Sequence, residues 1–486
     1  MNYKMMCRFL ALICLAETVF FLPALGISIY DGSRGAILGF AISATVSLAL
    51  YIVFKLIARR TRGVLYAKEG FVCVASSWIL MSAIGALPFV ISGEIPNYVD
   101  ALFETVSGFT TTGSSIFTDV EVLPRGLIYW RSFTHWVGGL GILVFLLMMV
   151  PGGKNEGFTM HLFRAESPGP EVGKLVPKMR QTATVLYMTY IVLTVLNFTF
   201  LILGDMNTFE ALCTAFGTAG TGGFGIKNDS MASYSPYIQN VTTVFLILFG
   251  VNFSCYYLLI LRQFKSVFCD EELRLYLGIV TAAIAMIAIN VFATGFYGTF
   301  GESLRHAAFQ VASIISTAGF STTDFDLWPM FSKSILAILM ITGACAGSTC
   351  GGMKCARVLL LFKNLRRNIH NLLHPQQVQV VRVNGRAVDE KVIANTNGYL
   401  AAYVIILFVS FVAISLFDNN SIGTNFSAVL TCFNNVGPGF EAVGPMANFA
   451  HLSIPSKLIL TFDMLAGRLE IFPLLLLFSG SVWKKA

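Results

Sequence analysis

Ala101-Leu-Phe-Glu-Thr-Val-Ser-Gly-Phe-Thr-Thr-Thr-Gly113 reads as a short semi-polar helix that ends in hydroxyl side chains and a glycine. The same shape returns as Ala211-Leu-Cys-Thr-Ala-Phe-Gly-Thr-Ala-Gly-Thr-Gly-Gly223, Ala307-Ala-Phe-Gln-Val-Ala-Ser-Ile-Ile-Ser-Thr-Ala-Gly319 and Asn425-Phe-Ser-Ala-Val-Leu-Thr-Cys-Phe-Asn-Asn-Val-Gly437. A bilayer core takes about 20 helical residues to cross, so each copy is too short, whereas the apolar runs on either side are long enough. The chain therefore reads as four helix, re-entrant loop, helix units. Their last residues are Thr111, Thr112 and Gly113; Thr221, Gly222 and Gly223; Thr317, Ala318 and Gly319; and Asn435, Val436 and Gly437. Irregular backbone survives at membrane depth only against protein or a wet cavity, so four such loops point to one aqueous axis. Carbonyls on that axis can replace the hydration shell of a monovalent cation. One small-residue run ending in glycine is as readily a helix cap. Four in equivalent places are not.

Composition agrees with that architecture. Of 486 residues, 55% are hydrophobic and only 12% charged, and mean hydropathy is +0.72. Soluble proteins carry about 25% charge, so this is an integral, polytopic, all-α membrane protein. The net charge of +7 does not mark a nucleic-acid binder, because the Lys and Arg gather at the termini and in alternate loops, which are cytoplasmic by the positive-inside rule. None of the ten cysteines falls in an external loop, so no disulfide framework is implied. Cys345, Cys350 and Cys355 have no neighbouring His or carboxylate and do not make a metal set. Residues 6–30 are too long for a signal peptide and lack a cleavage site, and are read as a retained helix.

Residues 1–66 form an added N-terminal transmembrane hairpin, with Glu17 inside its first helix and Arg59, Arg60, Arg62 and Lys68 fixing the following loop inside. The first pore repeat occupies 67–152, with an outer helix near 71–92 and an inner helix near 125–150. In the latter, Arg131 and His135 share a face that can meet Glu104, and the Trp130 and Trp136 region suits a membrane interface. A charged cytoplasmic linker at 153–178 precedes the second repeat at 179–264 and the third at 265–365. Residues 366–391 are a basic cytoplasmic linker in which Asn384-Gly385, within an alternating stretch, predicts a β-hairpin. The fourth repeat spans 392–486.

Two features below the loops stand out. The inner helix of the third repeat, near 333–365, contains Gly343-Ala-Cys-Ala-Gly-Ser-Thr-Cys-Gly-Gly352, too rich in glycine to stay helical. Gly343, Ala346, Gly347, Ser348, Thr349, Gly351 and Gly352 are thus expected to form a flexible element across the conduit. Arg468 lies in the last helix, where a lone guanidinium is costly, and is expected to reach that broken segment rather than Glu470 or Asp463. On the opposite side, Asp119, Glu121, Asp229, Asp324, Asp326 and Glu441 follow the loops closely and predict a cation-concentrating mouth.

Thr110-Thr-Thr-Gly113, Trp136-Val-Gly-Gly-Leu-Gly141, Thr317-Ala-Gly-Phe-Ser-Thr-Thr-Asp324, Asn434-Asn-Val-Gly-Pro-Gly439 and Gly467-Arg-Leu-Glu-Ile-Phe-Pro473 resemble the Trk/Ktr/HKT superfamily over essentially the whole chain. The N-terminal hairpin resembles its bacterial Trk-type potassium-uptake subunits. The resemblance implies a one-chain pore, a homodimer, a bacterial inner-membrane location with both termini cytoplasmic, and a cytoplasmic nucleotide-binding gating ring as partner. It also implies potassium as substrate, no covalent cofactor, and nucleotide acting only through that partner. Selectivity maps onto Gly113, Gly223, Gly319 and Gly437, where register with Ala101-Leu102 selects Gly223 over Gly220 and Gly222. The family's gate, a loop with an arginine latch, maps onto residues 343–352 and Arg468. The alternative is a symporter coupling potassium to sodium or protons, with Glu17 and Glu470 as its only candidate carboxylates. No triad, metal cluster or phosphate loop supports an enzyme.

Overall fold

The computed structural model describes residues 3–58, 67–141, 179–377 and 379–480. The linker at 153–178, Arg59, Arg60 and Arg62 lie outside the described residues. Among the described residues helices dominate, and six are long and apolar enough to span a membrane, or seven when one bent pair is counted as a span. The N-terminal hairpin is α1 (Tyr3–Asp31) and α2 (Arg34–Ile57). The first repeat follows as α3 (Ala67–Gly85), α4 (Leu87–Ser92), the re-entrant α5 (Tyr98–Phe109) and α6 (Arg125–Leu140). The second comprises α7 (Met179–Leu203), α8 (Thr208–Gly220), α9 (Pro236–Phe249), α10 (Phe253–Ile260) and the short α11 (Phe264–Phe268). The third comprises α12 (Glu271–Ala293), α13 (Phe300–Ile315), α14 (Met330–Thr342) and α15 (Cys355–Leu373). After a two-stranded hairpin, β1 (Arg382–Val383) and β2 (Arg386–Ala387), the fourth repeat is α16 (Glu390–Phe417), α17 (Ile422–Phe433), α18 (Ile454–Arg468) and α19 (Phe472–Phe478).

Local sequence explains why the short helices begin where they do. Asn97, Asn207, Thr299 and Ser421 cap α5, α8, α13 and α17, each side chain accepting a first-turn N–H that has no helical partner. Pro124 and Pro329 immediately precede α6 and α14, while Pro236 and Pro455 sit in the first turns of α9 and α18, where a missing N–H costs nothing. The Asn384-Gly385 turn has φ of 50° and 75°, the left-handed pair that a tight hairpin needs, and pairs Val383 with Arg386 as its alternation predicts.

Only the third repeat was expected to have a broken inner helix; the structure also breaks the second and fourth, and ends the first at Gly141, beyond which the chain lies outside the described residues. These helices run 16, 14, 13 and 15 residues, which at 1.5 Å per residue falls short of a core about 30 Å thick. The first stops at Gly141 (φ 84°) and the second turns by 88° at residues 250–252. The fourth stops just after Arg468, at Glu470 and Ile471 with φ of 55° and 66°, ahead of Pro473. Arg468 therefore ends a helix rather than sitting within one. Beyond the third break, α15 continues unbroken past residue 365 to Leu373.

Trp130, expected near the interface, is instead fully buried. Its ring lies 4.6 Å from Phe21 and 5.9 Å from Phe109, and its indole donates to the Gly85 carbonyl at 3.1 Å, so it locks the hairpin onto the first repeat. Arg131 and Glu104 do meet, at 2.8 Å and almost without exposure. Glu104 also accepts the Ile116 N–H at 2.9 Å, while Arg131 reaches the Ser115 hydroxyl at 3.2 Å and stacks on Phe224 at 4.1 Å. Removing one partner of a buried pair strands the other charge and typically costs about 3–5 kcal/mol, whereas removing both is far milder. Arg131→Met should therefore lower the thermal midpoint of the detergent-solubilised protein sharply, and Glu104→Gln with Arg131→Met should restore most of it. Equal loss in the single and double variants would mean that the pair is not what holds this corner.

Candidate functional site

Each re-entrant helix ends with the same hydrogen bonds. The N–H of Thr112, Gly222, Ala318 and Val436 reaches back five residues, to the carbonyls of Ser107, Gly217, Ser313 and Thr431, at 2.8–2.9 Å. The residue before each, Thr111, Thr221, Thr317 or Asn435, is left-handed, with φ of 52–56°. This is the Schellman ending, which ordinarily uses glycine at the left-handed place. Here three threonines and an asparagine occupy it, a strained choice for β-branched side chains that surrounding contacts must enforce.

Two residues on, Gly113, Gly223, Gly319 and Gly437 have φ of 83°, 78°, 81° and 102°. A Cβ on Gly113 would lie 2.1 Å from the Gly222 carbonyl oxygen, on Gly223 1.8 Å from that of Ala318, on Gly319 2.2 Å from that of Val436, and on Gly437 2.8 Å from that of Thr112. In every case the oxygen belongs to the residue just before the next repeat's glycine. The four loops thus close a ring, first to second to third to fourth to first. The same contacts pick out Gly223, not Gly220 or Gly222, as the second member; Gly220 and Gly222 instead make room for the His135 backbone and ring. His135 bonds the Gly108 carbonyl at 2.7 Å and accepts the Phe224 N–H at 3.2 Å, a structural group bridging two loops.

Above this ring the post-loop segments close a second one. Val120 N–H donates to Asn228 at 2.8 Å, Met231 N–H to the Ser321 carbonyl at 2.9 Å, Glu441 N–H to Asp326 at 2.9 Å, and Phe449 N–H to the Ser115 carbonyl at 2.9 Å. Asp119 and Asp326 are part of this stitching, while Asp229 and Asp324 bond within their own loops. Asp119 takes the Asn228 amide at 2.8 Å, Asp326 pairs with Lys333 at 3.5 Å, Asp229 takes Ser233 at 3.3 Å, and Asp324 caps Asp326 at 3.0 Å. The Asn228 amide and the Glu121 N–H hold the Asp119 carboxyl below its ordinary range, and the Ser421 hydroxyl does the same for Glu441.

Below the ring, residues 343–354 leave α14 and cross under the loops. The Gly351 N–H donates to the Thr317 hydroxyl at 2.6 Å and Gly352 N–H to the Asn434 carbonyl at 3.0 Å, while Thr349 lies 3.5 Å from Thr221. Gly343, Gly347 and Gly352 have φ of 64°, 69° and 74°. Ser348 bonds the Cys345 carbonyl at 2.6 Å, and Ala346 N–H is held by Glu272 at 2.6 Å. Arg468 meets this segment: it donates to the Thr349 carbonyl at 2.9 Å, to Gly138 at 2.5 Å and to Gly139. Glu470 is taken by Arg357, which stacks on Tyr399 at 4.1 Å, and Asp463 accepts from Ser410 at 2.7 Å. The contribution of Gly138 and Gly139, and the anchoring by Glu272, were missed from the sequence, because the partners are more than 70 residues away in the chain.

Comparison with known proteins places this geometry. A model of the TrkH family, described as cation transport protein, matches residues 39–485. The chain is 34% identical to the Trk system potassium uptake protein TrkH of Salmonella typhimurium, with both covered over their full length. It is also 34% identical to TrkG of Escherichia coli K12 over 86% of each. The crystal structure of the potassium transporter TrkH from Vibrio parahaemolyticus superposes with a TM-score of 0.87 at 30% identity and full coverage of both chains. With likeness running the length of sequence and fold alike, the chain belongs to the TrkH family of cation transport proteins.

Proposed function

We propose that the protein takes up potassium across the bacterial inner membrane by channel-like permeation through the ring of four loops. The observation that carries this reading is the closed cycle in which each glycine meets the carbonyl preceding the next repeat's glycine. The potassium-uptake names of its relatives support the substrate. Thr112, Gly222, Ala318 and Val436 supply backbone oxygens in place of water. The C-terminal ends of α5, α8, α13 and α17 add partial negative charge beside them. Potassium then moves down its gradient, with the membrane potential contributing about 2.3 kcal/mol per charge for each 100 mV.

The segment at 343–354 is the gate and Arg468 its latch: the guanidinium holds carbonyls from two repeats, and its charge opposes a cation alongside. A homodimer and a cytoplasmic nucleotide-binding subunit complete the assembly. Within the described residues, Lys363 and Arg367 are engaged by Glu271 and Glu390, which leaves the exposed Arg366 as the docking cation of this trio. The symport alternative rests on Glu17, fully buried with neither oxygen hydrogen-bonded among the described residues. Reversal potentials in potassium and sodium gradients across liposomes test permeation directly, and a pH-dependent reversal potential would favour coupling to protons.

Five variants probe these assignments. Gly113→Ser or Gly319→Ser places a side chain against the neighbouring carbonyl and should reduce the potassium-to-sodium permeability ratio on the order of tenfold, equivalent to about 1.4 kcal/mol. Gly437→Ser, with the widest approach, should be the mildest. Unchanged ratios in all three would remove these loops from the filter. Arg468→Ala should raise resting flux several-fold and leave the permeability ratio intact; abolished flux in a folded protein would make Arg468 purely structural. Neutralising Asp119, Asp229, Asp324 and Glu441 together should slow uptake more at low than at high ionic strength, since the Debye length shrinks to about 8 Å at 0.15 M. Because Asp119 and Glu441 lose protons below the ordinary carboxylate range, the wild-type advantage should persist as pH falls through that range. Equal loss at both salts would rule out steering.

A further inference from the structure

The N-cap and first turn of α12 carry three consecutive carboxylates, Asp270, Glu271 and Glu272, that face two different places. Asp270 accepts the Leu273 N–H at 2.9 Å with one oxygen and the Asn384 side-chain amide at 2.7 Å with the other. Asn384 in return accepts the Glu271 N–H at 2.9 Å. The Glu271 carboxylate pairs with Lys363, whose ammonium also donates to the Arg382 carbonyl at 2.7 Å. The contacts of Asn384 and Lys363 tie the start of α12 to the β1–β2 hairpin, whose tip is Asn384 and whose base is seated by buried Leu360, Val381 and Ile393. Glu272 turns the other way. Buried at 7% exposure, it uses one oxygen, Oε1, to accept the Ala346 N–H at 2.6 Å and the Ala356 N–H at 3.1 Å.

Ala346 lies at the entry of the intramembrane segment, and Ala356 at the start of the helix that leaves it. One carboxylate oxygen therefore fastens both ends of the segment, where unpaired backbone N–H groups would be costly. The opposite side of the segment is held by Arg468 on the Thr349 carbonyl. Because Asp270 is the N-cap of α12, displacing the hairpin tip disturbs the cap on which the position of Glu272 depends.

We infer that Glu272 is a second anchor of the intramembrane segment, opposed to Arg468, and that the hairpin tip at Asn384 sets that anchor from the cytoplasmic side. Glu272 and Asn384 are positioning residues. The anchor stands on its own geometry; its effect on flux rests on the gate reading given above.

The segment carries its own reporters, since Cys345 and Cys350 are fully buried. The experiment reads alkylation of individual cysteines by N-ethylmaleimide in the full-length protein in liposomes, by mass spectrometry, alongside potassium flux. Cys213, buried in α8 away from the segment, reports any general loosening. Glu272→Ala should raise alkylation of Cys345 and Cys350 roughly tenfold, the factor that one hydrogen bond to a charged group is worth. Asn384→Ala should raise it about threefold, a partial loss of the same interaction. Glu272→Gln should stay within about twofold of wild type, because an amide oxygen can accept both N–H groups. Cys213 should not change in any of them. Wild-type alkylation of Cys345 and Cys350 in Asn384→Ala would overturn the link to the hairpin, and an equal rise at Cys213 would overturn the anchor. If Glu272→Ala does not fold, Asn384→Ala and Glu272→Gln decide the matter. A rise in alkylation with unchanged resting flux would support the anchor and overturn the gate reading instead.

Discussion

Four carbonyl oxygens packed against four glycine Cα atoms are the constraint on which this molecule depends. Each approach is closer than any side chain permits, and each joins one repeat to the next, so no loop can hold its shape without the other three. Non-helical backbone in a membrane has no water to fall back on and must be satisfied by protein. The ring answers that requirement collectively. Its lower border is the crossing segment, and its upper border is the second ring of loop-to-loop hydrogen bonds.

Buried charge in this protein is spent on irregular backbone. Arg468 holds carbonyls in the last turn of the first inner helix and in the crossing segment, Glu272 holds N–H groups at the two ends of that segment, and Glu104 with Arg131 binds the turn after the first loop. Arg357 with Glu470 stands where the fourth inner helix breaks. A lone charge in hydrocarbon is expensive, but an unpaired peptide group beside it is expensive too, and placing them together removes both penalties. The first, third and fourth inner helices end beside such groups, while the second has its last carbonyls taken by the Tyr276 and Tyr256 hydroxyls.

Much of this was legible from residue order. The four Gly-terminated copies, Asn384-Gly385 and the glycine cluster at 343–352 are local signals, since a positive φ or a tight turn narrows the residue choice at one position. The breaks in the second and fourth inner helices were less visible. Residues 250–252 carry a single glycine and no proline, and the left-handed Glu470 and Ile471 have no local preference for that conformation. Equally silent were the left-handed threonines ahead of the ring glycines, whose strain is imposed by neighbouring repeats.

By itself, then, the sequence determined that this chain is a membrane protein of four related units with an added hairpin, because hydropathy and turn chemistry are written within short windows. Arg131 with Glu104, one turn from His135, was also foreseeable from charges too costly to leave alone. Tertiary structure alone decided who partners whom: that Glu470 answers Arg357 rather than Arg468, that Trp130 is buried rather than interfacial, and that the outer Asp119 and Asp326 stitch loops together. Those choices depend on distances between segments far apart in the chain, and a buried charge or amide takes whichever complementary group the packing of helices brings within about 3 Å.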